Sequence, residues 1–221
     1  MRERITLGRV KAAMAGRQVG LVPGRMAREA WPGTGRVQTD PWSSAVLVPL
    51  FEEDGEARVV LTVRSAHLRN HSGQVAFPGG RVEEGEGVVE AALREAFEEI
   101  ALDRRLVEVE AVLTPLPTLS SSTLMTPVVA SLAARPTVQP NPDEVDRIFD
   151  VALADLVAEG TFHEERWAVP GRAGEPGPPE VELPVWFFET SGEMIWGATA
   201  RTLVELLCAV LGVALPAPVT R

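Results

Sequence analysis

The sequence predicts a layered α/β fold in which helices cover both faces of a mixed sheet. Two apolar runs, 45–51 and 57–64, read as β-strands joined by the turn sequence EEDGE. A helical pattern follows at 87–101, and two further strand-like runs follow it at 107–113 and 124–132. Because strands precede and follow the central helix, these segments are expected to form one sheet packed between helices.

The two ends of the chain add helical patterns. Residues 3–16 place charged and apolar side chains at helical spacing and end at a glycine. Residues 199–213 form an amphipathic pattern, with Thr199 as the expected N-cap. We expect an N-terminal helix and connector over 1–42 and a single domain over 43–215, since no second core is evident in the sequence.

The second half of the chain is less regular. Residues 151–160 predict a short helix, and the proline- and glycine-rich stretch 170–180 predicts a loop. The sequences ELPVWFFE and EMIWG predict a closing hairpin. The aromatic residues of this hairpin have two interpretations, as core side chains at strand spacing or as a stacking surface for adenine.

Composition narrows the classes of function. The 221 residues carry a formal net charge of −10 at pH 7, which argues against nucleic acid as a partner, because such proteins normally present a basic surface. The single cysteine, Cys208, fits a reducing compartment. The longest apolar run, 206–215, is shorter than the roughly 20 residues of a membrane-spanning helix. We therefore expect a cytoplasmic protein with no membrane partner.

The segment 79–102 concentrates negative charge. Glu95, Glu98 and Glu99 fall within one helical turn, where each like-charged pair costs roughly 0.2–0.5 kcal/mol. Glu90 and Arg94 are spaced to form an ion pair at the flank of this helix, which leaves the three glutamates without a basic partner. The expected core-facing stripe consists of Val89, Leu93, Ala96, Phe97 and Ile100.

A divalent metal ion would offset this repulsion. Carboxylates three and four residues apart on a rigid helix present hard oxygen ligands at one point, as Mg²⁺ and Mn²⁺ require. The glycine-rich loop before the helix, which contains Gly80, can add a backbone carbonyl. The alternative interpretation is a solvated acidic face.

The spacing of this segment resembles the Nudix box, G-x5-E-x7-R-E-U-x-E-E-x-G-U. The matching positions run from Gly80 through Glu86 to the stretch 94–102, and Ala101 stands where the family has glycine. That glycine normally helps to end the helix, so alanine is expected to cost about 1 kcal/mol at a left-handed position.

Three other stretches resemble the coenzyme A pyrophosphatase branch of the Nudix hydrolases. They are LTVRSAHLRNHSGQVAFPGG at 61–80, NPDEV at 141–145 and WGATAR at 196–201. The resemblance implies a Nudix-type α/β/α sandwich with a central mixed sheet. It also implies hydrolysis of the diphosphate in coenzyme A or its derivatives, which gives 3′,5′-ADP and 4′-phosphopantetheine or its acyl form.

The motif positions also imply roles for individual residues. Glu95 and Glu99 correspond to the main metal ligands, and Glu98 shares a metal or orients the attacking water. Glu86 and Arg94 correspond to structural positions that hold the acidic loop against the helix. The hypothesis that follows is in-line attack of activated water on a diphosphate bridged by Mg²⁺ or Mn²⁺, with no covalent nucleophile.

Several weaker candidates lie outside the box. Arg64, Arg69 and His71 are candidates for holding substrate phosphates, because arginine forks match phosphate oxygens. The alternative is that they are loop residues paired with nearby acidic side chains. Glu144 is a candidate extra acid from a distal loop, as a metal ligand or a general base. Asp143 and Asp146 compete for this role, and a surface acid is the alternative interpretation.

The sequence leaves alternatives open at three levels. The substrate is coenzyme A in its free, oxidised or acylated form, or another nucleoside diphosphate derivative such as ADP-ribose, NADH or a dinucleoside polyphosphate. A different class is a Nudix-fold module that binds a nucleotide without cleaving it, although such modules usually lose box glutamates and all are present here. The N-terminal helix either covers the sheet edge or contributes to a homodimer.

Overall fold

Most of the chain is described by a computed structural model, which covers residues 4–17, 44–68, 71–118, 124–170, 180–190 and 192–216. Its helices are α1 (Leu7–Met14), α2 (Val88–Ile100), α3 (Leu153–Leu156) and α4 (Gly197–Leu211), and a 3-10 turn spans Arg104–Leu106. The strands are β1 (Ser44–Glu53), β2 (Glu56–Arg64), β3 (Val75–Ala76), β4 (Gly79–Arg81), β5 (Val107–Val112), β6 (Leu116–Pro117), β7 (Leu124–Leu132), β8 (Val145–Ala152), β9 (Phe162–Pro170), β10 (Glu180–Thr190) and β11 (Glu193–Trp196).

The main sheet is mixed, as predicted. Its central order is β3-β2-β1-β7-β5, and β4, β6 and β8 pair with β1, β7 and β2 respectively. Strands β1 and β7 run parallel, with Val46 opposite Pro127, and the other pairings are antiparallel. The predicted hairpin is present as β10 and β11, which form a second, three-stranded sheet together with β9.

Strand β1 lies at the centre because both of its faces are apolar. Val46, Val48 and Leu50 face one buried cluster, which also contains residues of α1, β10 and α4. Ala45 and Leu47 face the opposite cluster, which contains α2. Alternate side chains of a strand point to opposite faces, so this strand joins two helical layers, and the predicted α/β sandwich is confirmed.

Helix α1 packs on the main sheet. Val10 and Met14 are fully buried, and the Ala57 backbone N–H donates to the Ile5 carbonyl at 2.7 Å. The Lys11 ammonium donates to Glu108 at 2.6 Å. The predicted covering of the sheet edge is wrong, because the helix covers a face of the sheet, and a role in a homodimer stays a prediction.

The predicted core stripe of α2 is correct except at Phe97, because Ala96 and Ile100 are buried and Val89 and Leu93 are partly buried against the same cluster. Phe97 is 58% exposed, whereas Ala91, Ala92, Ala96 and Ile100 are buried. The small side chains face inward because α2 lies directly against β1 and β4, where alanine permits a close approach and phenylalanine does not. On this side of the helix Glu99, rather than Phe97, points toward the interior.

Two predictions near the C-terminus need correction. The N-cap of α4 is Trp196, and Thr199 lies inside the helix, where its hydroxyl donates to the Val75 carbonyl at 3.1 Å. The helix predicted at 151–160 is only the four-residue α3, because the first two positions belong to β8. Strands β8 and β9 were not predicted, and most of the predicted loop 170–180 lies outside the described residues.

Ala101 ends α2 in the left-handed region, with φ 54° and ψ 28°, as the sequence predicts. Glycine avoids the steric conflict of a Cβ at this conformation. The side chain is exposed, so Ala101→Gly removes no packing. We expect this substitution to raise the free energy of unfolding by about 1 kcal/mol, measured by urea denaturation.

Ala12→Gly is the matched control, because Ala12 is exposed inside α1. There the same change is expected to lower the free energy of unfolding by about 1 kcal/mol. A loss of stability in Ala101→Gly as well would contradict the account of the helix end.

Candidate active site

The three glutamates of α2 differ in their exposure to solvent. Glu99 is buried, with 2% of its surface exposed. Glu95 is largely buried, and the Glu98 side chain is 50% exposed. The helix therefore presents a row of carboxylates that runs from the protein interior to the solvent.

Glu99 lies between the glycine loop and the end of β2. Its Oε2 accepts a hydrogen bond from the Gly79 backbone N–H at 3.0 Å. Its Oε1 lies 3.6 Å from Nη1 of Arg64. Burial raises the pKa of the Glu99 carboxyl to about 7, although Gly79 and Arg64 both act to lower it. The two contacts therefore do not fully offset the cost of burying the charged form of Glu99, and a bound cation would stabilise that form further.

Glu95 lies directly against Gly80. A Cβ added to Gly80 would overlap the Glu95 carboxylate, so this position allows the loop backbone and the acid to touch. Burial raises the pKa of Glu95, Arg94 lowers it, and the neighbouring charges of Glu98 and Glu144 raise it further. The acidic groups of the site therefore interact electrostatically.

Arg94 ties the acidic loop to the helix. Its Nε and Nη2 donate to the two carboxylate oxygens of Glu86, each at 2.9 Å, and Nη2 also donates to the Arg81 carbonyl at 3.0 Å. Arginine and carboxylate match well in such a two-point arrangement. The Arg94 guanidinium also holds the pKa of Glu86 below its usual value.

The predicted pairing of charges along α2 is wrong. Glu90 accepts a hydrogen bond from the Gly87 backbone N–H at 2.9 Å and so caps the helix start. Arg94 instead donates through Nη1 to Glu95 at 2.9 Å and to Glu98 at 3.1 Å. The glutamates therefore do have basic partners, because the same guanidinium reaches both the loop and its own helical face.

A loop after β7 brings Glu144 to the same place. The Asn141 backbone N–H donates to the Glu99 carbonyl at 2.8 Å, and the Ser65 backbone N–H donates to the Glu144 carbonyl at 2.8 Å. The negative charge of Glu144 raises the pKa of both Glu95 and Glu99. The structure therefore brings this distal acid close to the box.

The three candidate substrate-binding residues have different outcomes. Arg64 lies beside Glu99, and its Nε is buried without a hydrogen-bond partner among the described residues. His71 lies farther along the same loop, and its Nδ1 is 2.8 Å from the Gln74 side-chain oxygen. Arg69 lies outside the described residues.

Comparison with known proteins identifies the family. The family model described as the NUDIX domain matches residues 41–173, more than half of the chain. The chain belongs to the Nudix family. The relatives described below are named Nudix hydrolases, and the glutamate row lies within the matched region.

Two curated Nudix relatives illustrate the similarity. The chain is 39% identical over 181 residues to "Nudix hydrolase 22, chloroplastic" of Arabidopsis thaliana, which covers 76% of this chain and 55% of that protein. It is 34% identical over 176 residues to "Uncharacterized Nudix hydrolase NudL" of Photorhabdus laumondii, which covers 79% of this chain and 88% of that protein. The chain thus spans just over half the length of the plant relative.

A solved structure also resembles this Nudix chain. The Nudix hydrolase RenU of M. smegmatis gives a TM-score of 0.46 with 22% identity, over 52% of this chain and 73% of that one.

Each helix found in the described residues is too short or too polar to cross a bilayer.

Nudix hydrolases generally use divalent ions such as Mg²⁺ or Mn²⁺. Within the described ranges, no three acidic, histidine or cysteine side chains are grouped so that they could hold a metal by themselves. The donors still fit a hard cation, because Glu99 and Glu95 are desolvated carboxylates and Gly80 lies against one of them. Mg²⁺ commonly takes one or two protein carboxylates and keeps several waters, so this donor set is sufficient.

The raised pKa of Glu99 predicts a pH-dependent stability of the metal-free Nudix protein. The folded protein binds this proton more tightly than the unfolded chain, so the stabilisation is present below the usual pKa of 4.5 and is lost as pH rises through about 7. Without metal, Glu99→Gln should be more stable than wild type at about pH 8 but not at about pH 4. Urea denaturation in EDTA measures both differences, and equal differences at the two pH values would contradict the assignment.

Sequence reasoning missed two residues of a cleft beside Arg64, although Trp186 and Trp196, which also line it, were among the aromatic residues considered for adenine stacking. Trp167 on β9 and Arg201 on α4 both line it, and neither was proposed for the site. The guanidinium of Arg201 stacks over the Trp186 ring at 4.5 Å. No sequence pattern pointed to Trp167, because the alternation of side chains along strand β9 was not recognised. Arg201 had one, since it lies in the WGATAR stretch that resembles the coenzyme A branch.

Proposed function

We propose that this Nudix hydrolase cleaves the diphosphate of coenzyme A or its derivatives, giving 3′,5′-ADP and 4′-phosphopantetheine or its acyl form. The observation that carries the proposal is the 3.6 Å approach of Arg64 to Glu99. Arg64 belongs to the stretch 61–80, which resembles the coenzyme A branch, and Glu99 belongs to the box. The two motifs therefore meet at one point in space.

The acidic residues are proposed to hold Mg²⁺ or Mn²⁺. Glu95 and Glu99 would be the main ligands, Glu98 would share an ion or orient water, and the Gly80 carbonyl would complete the set. When bound, divalent ions neutralise the diphosphate oxygens and lower the pKa of the attacking water. Arg94 keeps Glu95 and Glu98 in place through its 2.9 Å and 3.1 Å hydrogen bonds.

Arg64 is proposed to bind the substrate diphosphate. Its buried Nε has no acceptor among the described residues, and a phosphate oxygen would satisfy it, since arginine donates well to phosphate. His71 and Arg69 are proposed to contact other phosphates of the substrate. Glu144 is proposed as an additional acid that acts on water or metal, because its charge already affects Glu95 and Glu99.

A substrate panel tests the proposal. Purified protein is incubated with coenzyme A, ADP-ribose, NADH and diadenosine tetraphosphate, with Mg²⁺ and separately with Mn²⁺, and the products are separated by chromatography. We expect coenzyme A to give the highest kcat/KM and 3′,5′-ADP as one product. Preferential cleavage of ADP-ribose or another compound would assign a different substrate, and binding without turnover would support a non-catalytic module.

A further inference from the structure

A cleft of about 430 Å³ opens beside the candidate active site. It lies between strands of both sheets and the start of α4, and its volume falls in the usual range for small-molecule sites. Most of its lining is apolar, and the larger side chains are Leu116, Met125, Trp167, Val185, Trp186 and Trp196. An apolar cleft of this size is suited to an apolar ligand group, whose transfer from water is favourable.

The cleft is continuous with the candidate active site through Arg64. This side chain lines the cleft and also lies 3.6 Å from Glu99. The other polar groups nearby include His71 and Gln74, which follow Arg64 along the same loop and line the cleft as well. A ligand whose charged part lies at Arg64 and Glu99 can therefore extend an apolar part into the cleft.

We propose that this cleft binds an apolar acyl group at the end of the non-nucleoside arm of the substrate. The inference rests on the proposed function and makes it more specific: acyl derivatives of coenzyme A are preferred to free coenzyme A. The pantetheine arm of free coenzyme A carries two amides and a hydroxyl, which match apolar walls less well than an acyl chain does. An acyl chain removes their surface, and its own, from water.

Adenine is a poorer occupant of this cleft. Its ring edges carry donors and acceptors that need partners when buried, and the tryptophans and Leu116 supply few. Among the polar lining groups, Thr199 already donates to the Val75 carbonyl and the Arg201 guanidinium lies over the Trp186 ring. The indoles of Trp167 and Trp196 already contact each other, with centroids 5.6 Å apart, and Trp196 also stacks with Phe187 at 6.3 Å. A base would therefore have to separate Trp167 from Trp196 in order to insert between these two rings.

The test compares two substrates that share the same nucleotide. The ratio of kcat/KM for octanoyl-CoA to that for free CoA is measured with Mg²⁺ in wild type and in Trp167→Ala. We expect a ratio of about ten or more in wild type and a fall of about fivefold or more in the variant. Because both substrates are measured in one preparation, a partial loss of folded protein cancels from the ratio.

Phe162→Ala is the matched control. Phe162 is another exposed aromatic side chain of β9 and packs on Phe188 rather than lining the cleft. We expect this variant to keep the wild-type ratio.

Three results would overturn the inference, and they separate it from the proposed function. A wild-type ratio near one would exclude the acyl site and leave coenzyme A hydrolysis unaffected. An equal loss of activity on both substrates in Trp167→Ala would also exclude the acyl site, and it would indicate a site for the nucleotide. No turnover of either coenzyme A compound, together with turnover of ADP-ribose, removes the proposed function itself.

Discussion

Glu99→Gln is expected to reduce kcat on the proposed diphosphate substrate by on the order of 10³-fold at saturating Mg²⁺. The amide is close in size to the carboxylate, and its oxygen can still accept the hydrogen bond from the Gly79 backbone N–H. The substitution therefore removes a charge and little else. A neutral amide is a weak ligand for a hard cation, which prefers carboxylate oxygens.

The fold should survive this change, because burial already disfavours the charged form of Glu99 and raises its pKa to about 7. Circular dichroism and urea denaturation would check the fold, and isothermal titration with Mn²⁺ would show weaker binding. Glu84→Gln is the matched control, since it removes one exposed carboxylate from the preceding loop. A kcat within about tenfold of wild type in Glu99→Gln would exclude this residue as a ligand.

Gly80→Ala is expected to lower kcat/KM by about 10²-fold without unfolding the protein. The new Cβ would occupy the position of the Glu95 carboxylate. The displaced atoms are the end of a flexible side chain, so the conflict is relieved by moving Glu95 out of place. A misplacement of about 1 Å at a catalytic group is enough for a loss of this size.

Two neighbouring glycines provide contrasting controls for this prediction. A Cβ on Gly87 would come no closer than 3.4 Å to Glu90, so Gly87→Ala should keep near-normal activity. A Cβ on Gly79 would overlap the Ala45 backbone carbonyl, so Gly79→Ala should lose stability as well as activity. Wild-type kcat/KM in Gly80→Ala would show that the position of Glu95 is unimportant for turnover.

The strands of the main sheet were the most predictable part of the fold. The run at 124–132 was predicted with its observed bounds, because every residue of this central strand is buried and the sequence is apolar except at Thr126 and Ser131. Strand β8 was missed because its middle is polar, as at Asp146, Arg147 and Asp150. A strand covered on one side only gives a weak signal, and the neighbouring prolines favoured a loop.

Side-chain contacts in the candidate site were less predictable than its location. The motif placed Glu95, Glu98 and Glu99 on one helix, and the structure brings Arg64 and Glu144 to them. Helical spacing alone suggested that Arg94 pairs one turn away with Glu90. It could not show that a loop folds back and offers Glu86 in a two-point geometry, because that contact depends on tertiary structure. Only the resemblance to the Nudix box implied that Glu86 and Arg94 hold the loop against the helix.

The anchoring of the loop that carries Glu144 has a consequence for the evolution of this chain. Main-chain hydrogen bonds at Gln139 and Asn141 fasten the loop to the last turn of α2, and the bond at Ser65 fastens it to the strand edge. The number of residues between β7 and Asn141 therefore determines where Glu144 lies relative to α2. Insertions there would have to bulge outward into solvent, and deletions would pull the distal acid away from its neighbours.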